Sequence, residues 1–244
     1  TELYNQYTNL FSDTCVYFLT ASNTGPWKRM EEINQNYSAA EANYFSYEQV
    51  INHFDDYWQG GWEGDDPLTV VFQPGECWCS GLYNDQRTET FNLSDYISGN
   101  TSSLEVFMTS NESRIFNPKI FLKDANGNQT LIAEYNDTTN SESYPAIKRQ
   151  VELPLDLSPF IKDGKLEVLI DNQGKGIFCV GYTRINYHGK NDLADQKKKE
   201  FTIEKSTSLV NSSSKGKYIL VTDRNNAILL KDSLTASGRL LPSI

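Results

Sequence analysis

The sequence predicts an α+β fold: an N-terminal helical hairpin with one long helix, then an antiparallel β-sandwich, then a C-terminal β-hairpin. Three observations carry this. Apolar residues recur at steps of three and four from Met30 to Trp58, the spacing of a buried helix face. After Gly61 the chain breaks into short β-favouring runs separated by turn residues. Near the end, KYILVTDRNNAILLKD (217–232) sets two such runs about a polar centre. We therefore divide the chain into N-terminal helices (1–61), a sandwich domain (62–189), and a linker with C-terminal strands (190–244) that pack back on the N-terminal helix.

The long helix is read from Met30, Ile33, Tyr37, Ala40, Tyr44, Tyr47, Ile51, Phe54 and Trp58. Thr24 is a suitable cap, Pro26 suits the first turn, and Gly60-Gly61 ends it. Leu3, Tyr7, Leu10 and Tyr17 continue a similar spacing upstream, which predicts a shorter helix over 2–19.

The sandwich is read from eight runs: Leu68 to Gln73, Thr88 to Phe91, Leu104 to Thr109, Lys119 to Lys123, Gln129 to Tyr135, Arg149 to Leu153, Leu166 to Ile170 and Ile177 to Tyr187. Asp124-Ala125-Asn126-Gly127-Asn128 is first of all a hairpin turn; its Gly falls too early for an EF-hand calcium loop. Leu93-Ser94-Asp95-Tyr96-Ile97 before Leu104-Glu105-Val106-Phe107 is echoed by Leu157-Ser158-Pro159-Phe160-Ile161 before Leu166-Glu167-Val168-Leu169. Two equivalent corners of facing sheets would need such a pair. The phrase VELPLDLSPFIKDGKLEVLIDN, running on to GYTRINY, resembles jelly-roll modules of the galactose-binding type over about residues 88 to 188.

HGKNDLADQKKKE reads as a solvated linker. Phe201 to Ile203 then reads as a strand, Ser212 to Ser214 as a loop, and Tyr218 to Thr222 with Ala227 to Leu230 as the hairpin. That hairpin, followed by Ser237-Gly238-Arg239-Leu240, resembles the strand-turn-strand of extracytoplasmic sensor domains of the Cache and PAS-like type, with the sandwich as an insertion. The resemblance implies a ligand-sensing ectodomain of a bacterial membrane receptor, of the sensor histidine kinase type. Its N-terminal helix would carry a binding-induced population shift to the membrane. Ile219, Val221, Ile228 and Leu230 would then contact the helix face from Tyr44 to Phe54.

Lys+Arg total 22 against Asp+Glu 32, a formal charge of −10, which repels phosphate backbones and excludes nucleic acid as a partner. The apolar runs are far shorter than the ~20 residues of a membrane helix. The chain starts at Thr1 without a basic-then-apolar leader, so we expect a processed or excised form, anchored to a membrane through segments outside it. Sequons at Asn36, Asn92, Asn100, Asn111, Asn128, Asn136 and Asn211 are necessary but not sufficient for glycosylation.

Of the four cysteines, Cys77 and Cys79 are separated by one residue and cannot easily bond each other. The economical reading is that each reaches a distant partner, Cys15 or Cys179, in an oxidising compartment. A four-thiolate zinc site is the alternative, although structural zinc sites usually carry two short Cys pairs.

The catalytic inventory is thin. His53 and His188 are the two histidines, and the chain carries no G-x-S-x-G elbow, phosphate loop, dinucleotide fingerprint or H-E-x-x-H. We expect a non-catalytic protein without a cofactor. Trp58, Trp62, Trp78 and Tyr83 are the candidate ligand-binding residues, since exposed aromatic faces stack on sugars or apolar ligands; otherwise they form the seam between helix and sandwich. The expected ligand is a small molecule, glycan or peptide, and a homodimer is compatible with this reading. A minor pilin or surface adhesin head and a secreted carbohydrate-binding protein are the alternative functions.

Overall fold

The computed structural model describes residues 31–33, 44–58, 76–83, 85–110, 116–135, 146–174, 177–190, 207–210, 218–221, 227–230 and 239–242. These form strands β1 (Glu31–Ile33), β2 (Tyr44–Asn52), β3 (Asp56–Trp58), β4 (Cys77–Cys79), β5 (Gln86–Asn92), β6 (Ser103–Ser110), β7 (Lys119–Lys123) and β8 (Gln129–Glu134). There follow β9 (Ala146–Glu152), β10 (Ile161–Lys162), β11 (Lys165–Asp171), β12 (Phe178–Lys190), β13 (Thr207–Val210), β14 (Tyr218–Val221), β15 (Ala227–Leu230) and β16 (Arg239–Pro242). A single 3-10 turn, Ser158–Phe160, is the helical element among the described residues.

The expected long helix is overturned, because β1, β2 and β3 lie inside its span. The physical reason is visible in β2. Phe45 and Tyr47 are buried while Glu48 is exposed, and the run is dense in Tyr, Phe, Val and Ile, which fit a pleated surface better than a helix. Aromatic residues spaced three and four apart matched the helical template, but half of those positions belong to opposite faces of a strand. The helical hairpin is therefore not part of the described fold, and the resemblance to sensor domains loses the helix on which it relied. The shorter helix over 2–19, the strands at Leu68 to Gln73 and Phe201 to Ile203, and the loop at Ser212 to Ser214 lie outside the described residues. No helix among the described residues is long and apolar enough to cross a membrane.

The chain divides into two units, one of Thr1–Cys15 and Glu48–Tyr187, the other of Val16–Tyr47 and His188–Ile244. The first holds an antiparallel sandwich. One sheet runs β2-β12-β6-β9, and the other runs β5-β11-β7-β8 with β10 paired to the start of β11. Numbered one to eight in chain order, the long strands lie as one-eight-three-six in one sheet and two-seven-four-five in the other. This is the jelly-roll arrangement of two interlocked Greek keys, as the resemblance to galactose-binding modules implies. Seven of the eight expected runs are these strands, within a few residues at each end.

The register explains the core. Leu104, Val106 and Met108 share one face of β6, while Phe91, Ile120, Leu122, Leu166, Val168 and Ile170 share one face of the second sheet, all buried. Each such side chain contributes roughly 1.5–3 kcal/mol through burial. β6 and β12 are buried on their other face too, because β3 and β4 form a two-stranded ribbon whose Cys77 and Cys79 pack with Phe107, Cys179 and Tyr182.

The internal echo is structural. The Tyr96 amide donates to the Leu93 carbonyl and the Phe160 amide to the Leu157 carbonyl, at 3.1 and 2.9 Å, so both corners make the same turn with a buried leucine at its start. The two corners also meet: the Leu157 amide donates to the Tyr96 hydroxyl at 3.0 Å. At Asp124–Asn128 the Asp124 carboxylate accepts the Asn126 and Asn128 amides, both at 2.8 Å, closing the β7–β8 hairpin as the Asn-Gly pair predicts.

In the second unit β15 pairs antiparallel with β14 and parallel with β1, and β13 pairs antiparallel with β16. The expected C-terminal hairpin is thus present in its strands. Its predicted side-chain contacts from Ile219, Val221, Ile228 and Leu230 lie outside the described residues. Tyr44 meets His188 edge-on at 4.9 Å, and the Tyr47 hydroxyl donates to the Lys190 carbonyl at 2.9 Å.

Candidate functional site

The β3–β4 ribbon carries most of the residues singled out in the sequence. Its register sets Tyr57 opposite Trp78 and Trp58 opposite Cys77. Because neighbouring residues on a strand point to opposite faces, Tyr57 and Trp78 share one face while Trp58, with Cys77 and Cys79, shares the other.

On the first face the Tyr57 and Trp78 rings meet edge to face, centroids 5.4 Å apart at 62°. Both are half-buried. The Tyr57 hydroxyl donates to Glu76 Oε1, and burial followed by this bond and the Glu76 charge pushes the phenol above the ordinary tyrosine range. Tyr57 is therefore neutral at any physiological pH. The result is an aromatic pair bordered by a carboxylate.

On the opposite face Trp58 packs on a core of Cys77, Cys79, Phe107, Cys179 and Tyr182. Trp58 is thus taken up in the packing beneath the ribbon, and the seam between helix and sandwich that the sequence predicts as the alternative falls with the helix. Tyr83 is occupied as well: the Arg87 guanidinium sits over its ring at 4.8 Å and Arg87 Nη1 donates to its hydroxyl. Trp62 lies outside the described residues. Of the three described candidates, Trp58 and Tyr83 are taken up in these contacts, and Trp78 lies on the other ribbon face beside Tyr57.

Cys77, Cys79 and Cys179 are buried free thiols, so the expected disulfides are not formed among them. Cys15 lies outside the described residues. The three sulfurs come together because β4 continues alongside the start of β12, with the Ser80 amide donating to the Val180 carbonyl at 2.8 Å. Hydrogen bonds from Cys179 and Cys77 hold the Cys79 thiol below its ordinary range, against burial. The bond to Cys79 and burial push Cys77 and Cys179 upward. Among the described residues no group of His, Cys, Asp and Glu is arranged to hold a metal ion, so the zinc alternative gains nothing from this cluster.

A charged cluster escaped the sequence reading. His53 Nε2 and Glu89 Oε1 lie 3.0 Å apart, Arg87 Nε donates to the same carboxylate, and Arg87 Nη2 lies 3.1 Å from His53 Nδ1. Glu89 is 4% exposed. Burial alone would raise its pKa, but hydrogen bonds from His53 and Arg87 hold it below the usual carboxylate range. The signal was available in Arg87-Thr88-Glu89-Thr90-Phe91: alternation places both charges on the face of a buried phenylalanine. On the outer face of the other sheet, the Tyr182 hydroxyl donates to Glu105 Oε1 at 2.7 Å and Arg184 Nη2 lies 3.1 Å from Glu105 Oε2. Both clusters are internally paired, which suits structural ion pairs.

No family model matches the chain, and no curated protein matches it. Among solved structures it resembles the dimeric latent PorU from Porphyromonas gingivalis, at 10% identity with a TM-score of 0.60. That match covers 88% of this chain and 20% of the PorU chain, so the sequence spans about a fifth of that protein's length. A CBM35 from Cellvibrio japonicus Abf62 matches over 58% of this chain and 91% of its own, at 10% identity and a TM-score of 0.29. A carbohydrate-binding module, CBM6cm-2 from Cellvibrio mixtus lichenase 5A in complex with cellotriose, matches over 57% of this chain and 95% of its own, at 13% identity and a TM-score of 0.28. The PorU likeness bears on the fold alone.

Proposed function

We propose that the sandwich is a glycan-binding domain that acts by binding, and that the ribbon face of Tyr57 and Trp78 is its platform. The observation that carries this is the half-exposed edge-to-face pair of Tyr57 and Trp78 with Glu76 at its border. A pyranose presents an apolar face of C–H groups and a rim of hydroxyls. An indole face covers the former, and a carboxylate accepts from the latter. Tyr57 fixes the Glu76 carboxylate before a ligand arrives, which lowers the ordering cost of binding. The net charge of −10 directs the choice to neutral or cationic glycans, since an acidic polymer would be repelled.

This reading needs neither a membrane helix nor a catalytic group, and it places the domain where glycans are met, outside the cell. The test is a glycan array followed by calorimetry, with cellotriose, the sugar in the CBM6cm-2 complex, among the probes. Binding by the wild type that falls at least tenfold in Trp78→Ala is the expected result. A wild type that binds no glycan on the array, or binding that survives in Trp78→Ala, overturns it.

A further inference from the structure

The three buried thiols have a chemistry that the glycan platform does not use. Cys77, Cys79 and Cys179 are 0–1% exposed and pack as one group with Phe107 and Tyr182. Cys77 and Cys79 stand two residues apart on one strand, a spacing that disfavours a bond between them. Cys79 and Cys179 instead sit on neighbouring chain segments, joined just past Cys79 by backbone bonds at Ser80–Val180 and Tyr83–Phe178, and their thiols are hydrogen-bonded. The two side chains are therefore neighbours within one packed group.

We propose that Cys79 and Cys179 are a redox pair that closes to a disulfide, clamping the ribbon to β12. The pairing does not depend on the glycan reading. The oxidant is a low-molecular-weight disulfide. Cys79, to which both neighbouring thiols donate, is the thiol best placed to give up its proton and attack one sulfur of that oxidant, releasing one small thiol and leaving a mixed disulfide. Cys179 then loses its proton and displaces the second small thiol. Two protein thiols are oxidised, one small disulfide is reduced, and Cys77 stays free. The bond closes a loop of about a hundred residues, and a cross-link restricts the unfolded chain more the longer the loop it closes. The burial of all three sulfurs means that attack requires transient opening of the ribbon, so the clamp forms during folding or on local unfolding.

The experiment is refolding of the full chain from denaturant in buffer containing oxidised glutathione, followed by intact mass, thiol counting and peptide mapping. The expected product has lost two thiols and about 2 Da, carries a cross-linked peptide pair containing Cys79 and Cys179, and melts roughly 5–10 °C higher than the same protein after reduction. Cys77→Ser is expected to form the same bond, and Cys179→Ser to lose it. The peptide map of the wild type stands by itself where a variant fails to fold. All four thiols remaining free, or a cross-link that joins Cys15 or Cys77 in place of the Cys79–Cys179 pair, overturns the proposal.

Discussion

His53 Nε2 lies 3.0 Å from Glu89 Oε1, joining the residue just past β2 to the middle of β5 between the two sheets. These strands are the ends of their sheets, so the contact ties one edge of the sandwich together.

Acid should loosen this edge. Glu89 is held below its usual pKa by His53 and Arg87 against the opposing effect of burial. A carboxylate depressed in the folded state contributes stability above its unfolded value, about 4.3, and that contribution is lost as pH falls through the folded value. Replacing it by Gln leaves the partly buried Arg87 without its counter-charge, at a cost of about 2 kcal/mol. We expect Glu89→Gln to be less stable than the wild type by that amount in urea at pH 7. The gap should close as the pH is lowered beneath about 4. A gap independent of pH would mean that shape, not charge, holds the edge.

Two glycines with positive φ should respond differently to Ala. Gly164 (φ 73) follows Asp163 (φ 51) in the two-residue turn between β10 and β11, where both central residues need left-handed backbone. A Cβ on Gly164 would also lie 3.0 Å from Ser94 Cβ and 3.1 Å from its Cα, whereas one on Gly127 (φ 85) meets nothing within 4 Å. Gly127→Ala pays only the left-handed backbone strain, about 1 kcal/mol. Gly164→Ala adds a backbone clash and should lose about 2–3 kcal/mol, measured as the difference in urea unfolding free energy.

The sandwich was legible because its strands announce themselves locally. Lys119 to Lys123 is bounded by turn residues, and the Leu157 corner repeats the Leu93 corner in its leucine, serine, aromatic and isoleucine. The long helix was misread because β2 mixes Tyr, Phe, Val and Ile with Ser, Glu, Gln and Asn so evenly that periods of two and of three to four both find matches. What sequence could not convey was which distant strands become neighbours. Trp58 and Trp78 look equivalent in the chain, and only the pairing of β3 with β4 separates the one facing Cys77 from the one beside Tyr57. The same holds for His53 and Glu89, whose meeting depends on two sheet edges closing together.

Tyr182 and Glu105 test the outer face of β6 and β12. The hydroxyl donates to Glu105 Oε1 at 2.7 Å, and Arg184 holds the other oxygen at 3.1 Å. Tyr182→Phe keeps the ring packing on Phe107 and removes one donor to a buried carboxylate that retains its guanidinium partner. The expected loss is about 1–2 kcal/mol. Tyr182→Ala also opens a cavity beside Cys77, Cys79 and Cys179 and should lose about 3–5 kcal/mol. Denaturant midpoints for the two variants separate the hydrogen bond from the packing.

The ribbon offers a sharper test of binding than the loss of Trp78 alone, because Tyr57 acts there in two ways. Its ring abuts Trp78 at 5.4 Å and its hydroxyl holds Glu76. Tyr57→Phe keeps the ring and frees the carboxylate, so a ligand must then order Glu76 itself. Holding one long side chain costs about 0.5–1.5 kcal/mol, which predicts a Kd some three- to tenfold weaker, with folding stability little changed. Glu76→Gln keeps an acceptor but removes the charge. It should weaken a hydroxyl-bearing neutral glycan modestly and a cationic glycan much more, since only the latter gains from a full negative charge. Calorimetric titration of the three proteins against the glycan selected on the array distinguishes these cases. Equal affinities in all three would show that the ligand meets only the indole face.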